Sequence, residues 1–339
     1  DFSAEAAWLA RHSGRTVRVQ WTREDDIRHD FYHTVSVERL EASLDKSGAT
    51  TGWLHRSVAP TIFSLFADTD QQAPIETNMG HNNIPFDIPS VRIENPAAKA
   101  HTRIGWFRSV SNIPRAFAVQ SFVNELAHEA GQDHLEFYSR LLGEDRQIAP
   151  AEIGDGWNYD ENPELYPVDT GRLRAVAKKA AKEAGWGKKL PDGRGLGMAV
   201  HYSFLTYVAV VIDVEVSTNG SITIHNATMA ADCGHAINPD RVKSQMEGSC
   251  VMGIGLATTG EISFEDGRAV QGNFHDYVLP GIMLAPKTIS VHLVDPGKEV
   301  ELGGAGEPGL PPVAPALCNA IFAATGKRIR QLPIGGQLA

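Results

Sequence analysis

The sequence predicts an α+β protein in two lobes, and three observations carry that expectation. Segments that alternate apolar and polar residues, the signature of strands, are interspersed with amphipathic segments of helical period. At 339 residues the chain is longer than one compact core usually fills. Residues 148–167, rich in Pro, Gly and acids, interrupt both periods, so a first α+β lobe is expected over residues 1–150 and a second over 151–339.

Taken in order, Phe2 to His12 reads as a helix with one apolar face built from Phe2, Ala6, Leu9 and Ala10. Thr16–Trp21 and Thr34–Leu44 alternate as strands, and a turn at Lys46-Ser47-Gly48 leads into a third strand, Thr51–Val58. Gln72–Pro96, rich in Pro and Asn and without period, is expected to be a long irregular connection of the kind that serves a site or an interface. Ala116–Ala130 is an amphipathic helix closed by Gly131, and Leu135–Leu142 continues as another. In the second lobe, Gly171–Gly185 is a basic helix whose Lys178, Lys179 and Lys182 form a solvated face. Two alternating runs follow, Gly197–Ser217 and Ser221–Ala231, joined by Asn219-Gly220, a strong hairpin signal. A helix from Pro239 to about Leu256, strands near Glu261–Phe264 and Thr288–Val294, and a last helix over Val313–Ala324 before Gly326 complete the chain.

Composition removes several functional classes. With 42% hydrophobic and 21% charged residues the chain is an ordinary globular one. A net charge of -10 without a basic stripe argues against nucleic acid and for small molecules or proteins as partners. No apolar run approaches the roughly 18 residues of a membrane span. The three cysteines, Cys233, Cys250 and Cys318, have neither the spacing of a structural zinc site nor that of an iron–sulfur cluster and read as buried, inert thiols. His128 and His134 fall on different helix faces, which removes a shared zinc. Gly248–Gly253 lacks the spacing of a serine-hydrolase elbow. Gly193–Gly197 is a turn before a strand. The chain begins at Asp1, inside a helical pattern, as a processed product or a piece of a longer polypeptide would. Asp1 also lacks the nucleophile of an N-terminal amidase.

Candidate chemistry concentrates in three segments. Gly303-Gly304-Ala305-Gly306-Glu307-Pro308-Gly309 is a glycine-packed loop that carries one carboxylate, has Pro308 fixing the backbone after it, and lies just before a helix start. Taken alone, Glu307 reads as a surface acid complementing that helix. Gly304, Gly306 and Gly309 also match the dinucleotide spacing G-x-G-x-x-G. The acid expected about 20 residues on is replaced by Lys327, Arg328 and Arg330, which ranks a nicotinamide dehydrogenase last. In Trp106-Phe107-Arg108-Ser109-Val110, Phe107 fills core on the structural reading. On the functional one, Arg108 offers a planar fork to an anionic or carbonyl ligand, with backbone amides nearby. Gln245 sits on a helix with small residues one turn on and is, by itself, indistinguishable from a surface amide.

Together these segments resemble the molybdenum-binding large subunit of the xanthine dehydrogenase and aldehyde oxidase superfamily, most of all its isoquinoline 1-oxidoreductase β-subunit branch. The resemblance runs through Trp21–Asp26, Trp106–Ala130, Phe204–Gly248, Asn273–Tyr277 and Gly303–Ile334, in that order. It implies a two-lobed molybdopterin-binding fold, of which this chain is the C-terminal portion, because the two other glycine-rich cofactor segments of the family are missing. It also implies Glu307 as catalytic base, with Phe107, Arg108, Gln245 and Gly306 beside the cofactor. Ser109-Val110-Ser111 departs from the Phe-Arg-Gly-Phe-Gly of xanthine dehydrogenases, which weakens a purine assignment.

The implied activity is hydroxylation of an N-heterocycle or aldehyde with water as oxygen source. The implied cofactor is molybdopterin with molybdenum, in its cytosine dinucleotide form. Implied partners are the N-terminal half of the same large subunit and an iron–sulfur subunit that carries the [2Fe-2S] clusters. Export to the periplasm is common in this branch, and the sequence itself leaves the compartment open. The rival from another class is a non-catalytic subunit of a molybdoenzyme-like complex, against which the retained Glu307 argues.

Overall fold

Residues 2–339 are described by a computed structural model. Contacts divide the chain into two compact units: residues up to Asp30 with Gly260–Leu279, and Phe31–Thr259 with Pro280–Ala339. The small unit contains helices α1 (Phe2–Ser13) and α2 (Arg23–His29) and the short hairpin strands β9 (Phe264–Glu265) and β10 (Arg268–Ala269). The span Thr16–Trp21, expected as a strand, has no regular secondary structure and no ladder partner among the described residues. Its Trp21 packs edge-on to Phe2 at 5.1 Å between ring centroids and donates Nε1–H to Glu5 at 3.0 Å. The Arg23-Glu24-Asp25-Asp26 run is helical because Thr22 caps it: Asp25 N–H donates to Thr22 Oγ1 at 3.2 Å, and Thr22 N–H donates to Asp25 Oδ2 at 3.0 Å. Arg23 lies over the Phe274 ring at 5.0 Å and Asn273 donates to Glu24, which brings two of the resembling segments together.

In the large unit, β1 (Val37–Leu44) pairs antiparallel with β2 (Thr50–Val58), and β2 pairs parallel with β3 (Ser90–Glu94). The connection Gln72–Pro96 is therefore less irregular than its composition suggests, since it holds the helical turn α3 (Pro74–Thr77) as well as β3. A five-residue strand at a sheet edge is too short for its period to register. Helices α4 (Asn112–Glu129) and α5 (His134–Leu141) follow, then the paired strands β4 (Gln147–Ile148) and β5 (Val168–Asp169), and α6 (Thr170–Ala184). Asp169 caps α6 and Gly185 ends it in the left-handed conformation, φ 69°.

The main sheet runs in the order β11-β8-β7-β6, with β6 (Arg194–Ser203), β7 (Thr206–Val216) and β8 (Ile222–Asp232) antiparallel and β11 (Thr288–Leu293) parallel to β8. Its two faces build two cores. From β7, Val208, Val210, Ile212 and Val214 point to one face, where they meet Met246, Cys250 and Ile254 of α7 (Pro239–Thr258) and Val313, Ala316 and Leu317 of α8 (Val313–Thr325). Tyr207, Ala209 and Val211 point to the other, against Leu173, Val176 and Ala177 of α6, Phe137 and Tyr138 of α5, and Val119 and Val123 of α4. A strand buried on both faces, such as β7, reads as a continuous apolar run. That explains why Gly197–Ser217 looked unbroken. The break falls at Phe204-Leu205, a two-residue turn in which Ser203 pairs with Thr206.

Candidate active site

The Phe204-Leu205 turn is built against propensity. Both residues have positive φ, 50° and 62°, as a two-residue turn of this hand requires, yet neither is the Asn or Gly that adopts it without cost. Each such residue costs on the order of 1–2 kcal/mol. The same conformation recurs at Ser109-Val110, φ 74° and 47°, and over Asn158-Tyr159-Asp160, φ 45°, 55° and 61°. All three runs bear on the glycine loop, directly or through one another.

That loop is fixed residue by residue. Gly303 N–H donates to the Cys233 carbonyl at 3.0 Å, Gly304 N–H donates to the Phe204 carbonyl at 2.8 Å, and Thr206 Oγ1–H donates to the Gly304 carbonyl at 2.6 Å. A Cβ on Gly303 would collide with the Leu205 carbonyl and the Thr206 hydroxyl, so only glycine lets the loop seat on the β6–β7 turn. Gly309 is required in the same way by Met246 and Ser249 of α7.

Four of the residues singled out from sequence meet here. Arg108 Nε–H donates to the Gly306 carbonyl at 2.7 Å, while one of its terminal nitrogens donates to Gln245, to the backbone carbonyl at 3.1 Å and to Oε1 at 3.0 Å. Arg108 is thus a clasp between the helix α7 and the loop. Gln245 Oε1 accepts from Arg108, and its Nε2 donors make no hydrogen bond within the protein among those described, so they are available to a ligand. Burial lowers the Arg108 pKa, and the charge of Glu307 opposes that shift. Glu307 Oε1 accepts from Ser109 N–H at 2.9 Å, and Ser109 Oγ–H donates to the Glu307 carbonyl at 2.7 Å. Left-handed φ at Ser109 aims that amide at the acid, so the strain there has a visible product. Phe107 is half-buried, edge-on to His33 at 5.7 Å between ring centroids, and His33 Nε2 lies 3.0 Å from the Val110 carbonyl.

Beside the loop and Gln245 opens a cavity of about 230 Å³ lined by His235, Asn238 and Arg241 among others. A guanidinium, an available side-chain amide and the amides at the start of α7 suit a polyoxygenated, anionic group. Among the described residues no cluster of His, Cys, Asp and Glu could hold a metal ion.

Sequence reasoning missed Ser109, Tyr159 and the Phe204-Leu205 turn as parts of this neighbourhood. Only Ser109 had a signal, as the departure that follows Phe107-Arg108. The dinucleotide reading of the glycines lacks its structural setting, because β11 ends at Leu293 and no strand runs into the loop.

Comparison with known proteins agrees with this picture. The molybdopterin cofactor-binding domain family matches residues 2–142 in one of its domains and 146–286 in the other. The chain is 27% identical, over 99% of its length, to isoquinoline 1-oxidoreductase subunit beta of Brevundimonas diminuta and covers 40% of that protein. It is also 27% identical, over 98% of its length, to the membrane-bound aldehyde dehydrogenase (pyrroloquinoline-quinone) of Gluconacetobacter polyoxogenes, of which it covers 44%. It thus spans less than half the length of these curated relatives. Among solved structures it matches the aldehyde oxidoreductase of Desulfovibrio gigas with a TM-score of 0.73 and 16% identity, covering 97% of this chain and 51% of that one. The chain belongs to the molybdopterin cofactor-binding family, within the xanthine dehydrogenase and aldehyde oxidase superfamily.

Proposed function

We propose that this chain forms the base-bearing side of a molybdenum hydroxylase site, active once its partner chains complete the cofactor cradle. The observation that carries the reading is the clasp around Glu307. Its loop is pinned at Gly303, Gly304 and Gly306, and one carboxylate oxygen is fixed by Ser109 N–H. A general base needs this kind of orientation before it needs a particular pKa.

The molybdenum cofactor, when bound, supplies the redox centre that takes up the electron pair released by oxidation of a C–H group. Gln245 and Arg241 would face it, and Arg108 would hold Gln245 and Gly306 in register. Glu307 Oε2, opposite the oxygen held by Ser109, accepts the proton as the oxygen of water becomes the oxygen of the product. The balance is one water consumed and two protons and two electrons released, the electrons leaving through an iron–sulfur subunit. Aldehydes and N-heterocycles both present the electrophilic carbon this requires, and the names of the two relatives span both classes.

The test uses the intact native complex. Molybdenum should copurify with it, and turnover in ¹⁸O-labelled water should place one label in each product molecule. A complex that holds pyrroloquinoline quinone and no molybdenum, or a product labelled only from dioxygen, would overturn the reading. A non-catalytic subunit is the second reading, and it predicts that the complex keeps molybdenum and activity when this chain is removed.

A further inference from the structure

Glycine is the residue suited to position 109. The backbone there is left-handed, φ 74°, and a side chain in that region costs on the order of 1–2 kcal/mol that glycine avoids. Serine stands there instead, fully buried. Its hydroxyl donates to the Glu307 carbonyl at 2.7 Å, and its amide donates to Glu307 Oε1 at 2.9 Å. Ser109 therefore grips one glutamate at two points, the main chain and the carboxylate. Its own carbonyl accepts from the N–H of Asn112, the first residue of α4, at 3.1 Å, which ties the grip to a well-packed helix.

The hydroxyl is not needed to satisfy an orphaned acceptor. Leu310 N–H already donates to the same Glu307 carbonyl at 3.1 Å. Nor does the hydroxyl cap α4, whose N-cap is Ser111 and has no side-chain cap bond. What it adds is a second fixed point on Glu307. A glutamate side chain has rotamer freedom worth up to about 2 kcal/mol, and holding both of its ends restricts the torsions between them. The direction of the carboxylate then depends on the hydroxyl as well as on the amide.

We propose that Ser109 is a positioning residue for Glu307, its hydroxyl fixing the backbone of the acid while its amide fixes the carboxylate. The left-handed strain at this position is the consequence of placing a hydroxyl where glycine would fit at lower cost. This inference rests on the reading of Glu307 as the base.

The test sets Ser109→Gly beside Ser109→Ala in the intact complex, with kcat expressed per bound molybdenum. Both variants keep the amide and lose the hydroxyl, and only Gly relieves the strain. The proposal expects the Gly variant to have the higher Tm of the two. Both should keep molybdenum at the wild-type level and KM within about twofold, while kcat falls by about tenfold, as loss of orientation at a base produces. A merely structural serine predicts instead that the Gly variant turns over at the wild-type rate. In a Glu307→Gln background Ser109→Gly should cause no further loss, because the two residues act as one unit. Wild-type kcat in either variant, molybdenum lost in step with activity, or an equal loss in both backgrounds would overturn the proposal. Failure of the base reading is separate and would show as an active Glu307→Gln enzyme.

Discussion

The β7 core and the rim around Glu307 solve opposite problems in one unit. Along Val208–Ile212 of β7 every side chain is satisfied by packing: alternate residues go to alternate cores, the backbone stays in ordinary φ, and Val208, Val210 and Ile212 are all fully buried. Around Glu307 the backbone is left-handed at Ser109, Val110, Tyr159, Phe204 and Leu205, and polar atoms of Asn112, Tyr159 and Ser249 are buried without partners. The first region stores stability, and the second spends part of it to hold groups where packing alone would not. Strain at the rim persists because the sheet and helices that carry it are well packed.

Several substitutions break or sharpen that contrast. Val210→Asp puts an unpaired charge into a fully enclosed apolar site and should abolish folding of the large unit, read as loss of the cooperative circular-dichroism transition. Asp232→Ala should cost about 3 kcal/mol in denaturant unfolding. Asp232 is buried, accepts from Arg172 at 2.6 and 2.8 Å, and also accepts from Gly234 N–H, so its removal leaves a partly buried guanidinium and a buried amide without their partner. Because Cys233 beside it holds Gly303, this variant alone should weaken both regions. Arg108→Ala should leave Tm nearly unchanged and lower kcat/KM by about tenfold, since it frees Gln245 and Gly306 without opening the core. Unchanged kinetics and substrate preference would remove Arg108 from the site.

The smallest effect concerns pH. Burial pushes His81 and His201 down to about 3 and His134 down to about 4, below the ordinary 6.5. Between those values the unfolded chain binds the protons that the folded chain excludes. Stability is therefore full above about pH 6.5 and falls as the medium is acidified through that window. His201→Gln, which keeps a donor for Asn112, should reduce the slope of stability against pH by up to about 1.4 kcal/mol per unit. An unchanged slope in urea titrations would mean that His201 is not buried neutral.

The packed region was the one legible in sequence. Val208 to Val214 announce a buried strand, and Asn219-Gly220 marks the β7–β8 turn, because periodicity and turn chemistry are local properties. The capped helix at Arg23 and the short strand at Ser90 escaped for local reasons too, one hidden by its charges and the other by its length. The rim was half legible: the residues themselves marked the glycine loop with Glu307 and the fork of Arg108 as candidates, and only the resemblance joined them into one site. Nothing in Trp157-Asn158-Tyr159 indicates a left-handed run, and Phe204-Leu205 contradicts the residue preferences of its own turn. Glu307, Arg108 and Gln245 are separated by up to 199 positions, and only the tertiary fold puts them within one hydrogen-bond network.

The central claim is that Glu307 is a base held in place for chemistry. Its most direct test is Glu307→Gln in the purified complex, with molybdenum content and turnover measured on the same sample. Gln keeps the shape and can still accept from Ser109 N–H, so the metal should remain at the wild-type level while turnover falls by about a thousandfold. A variant that retains its molybdenum and turns over near the wild-type rate would contradict the account.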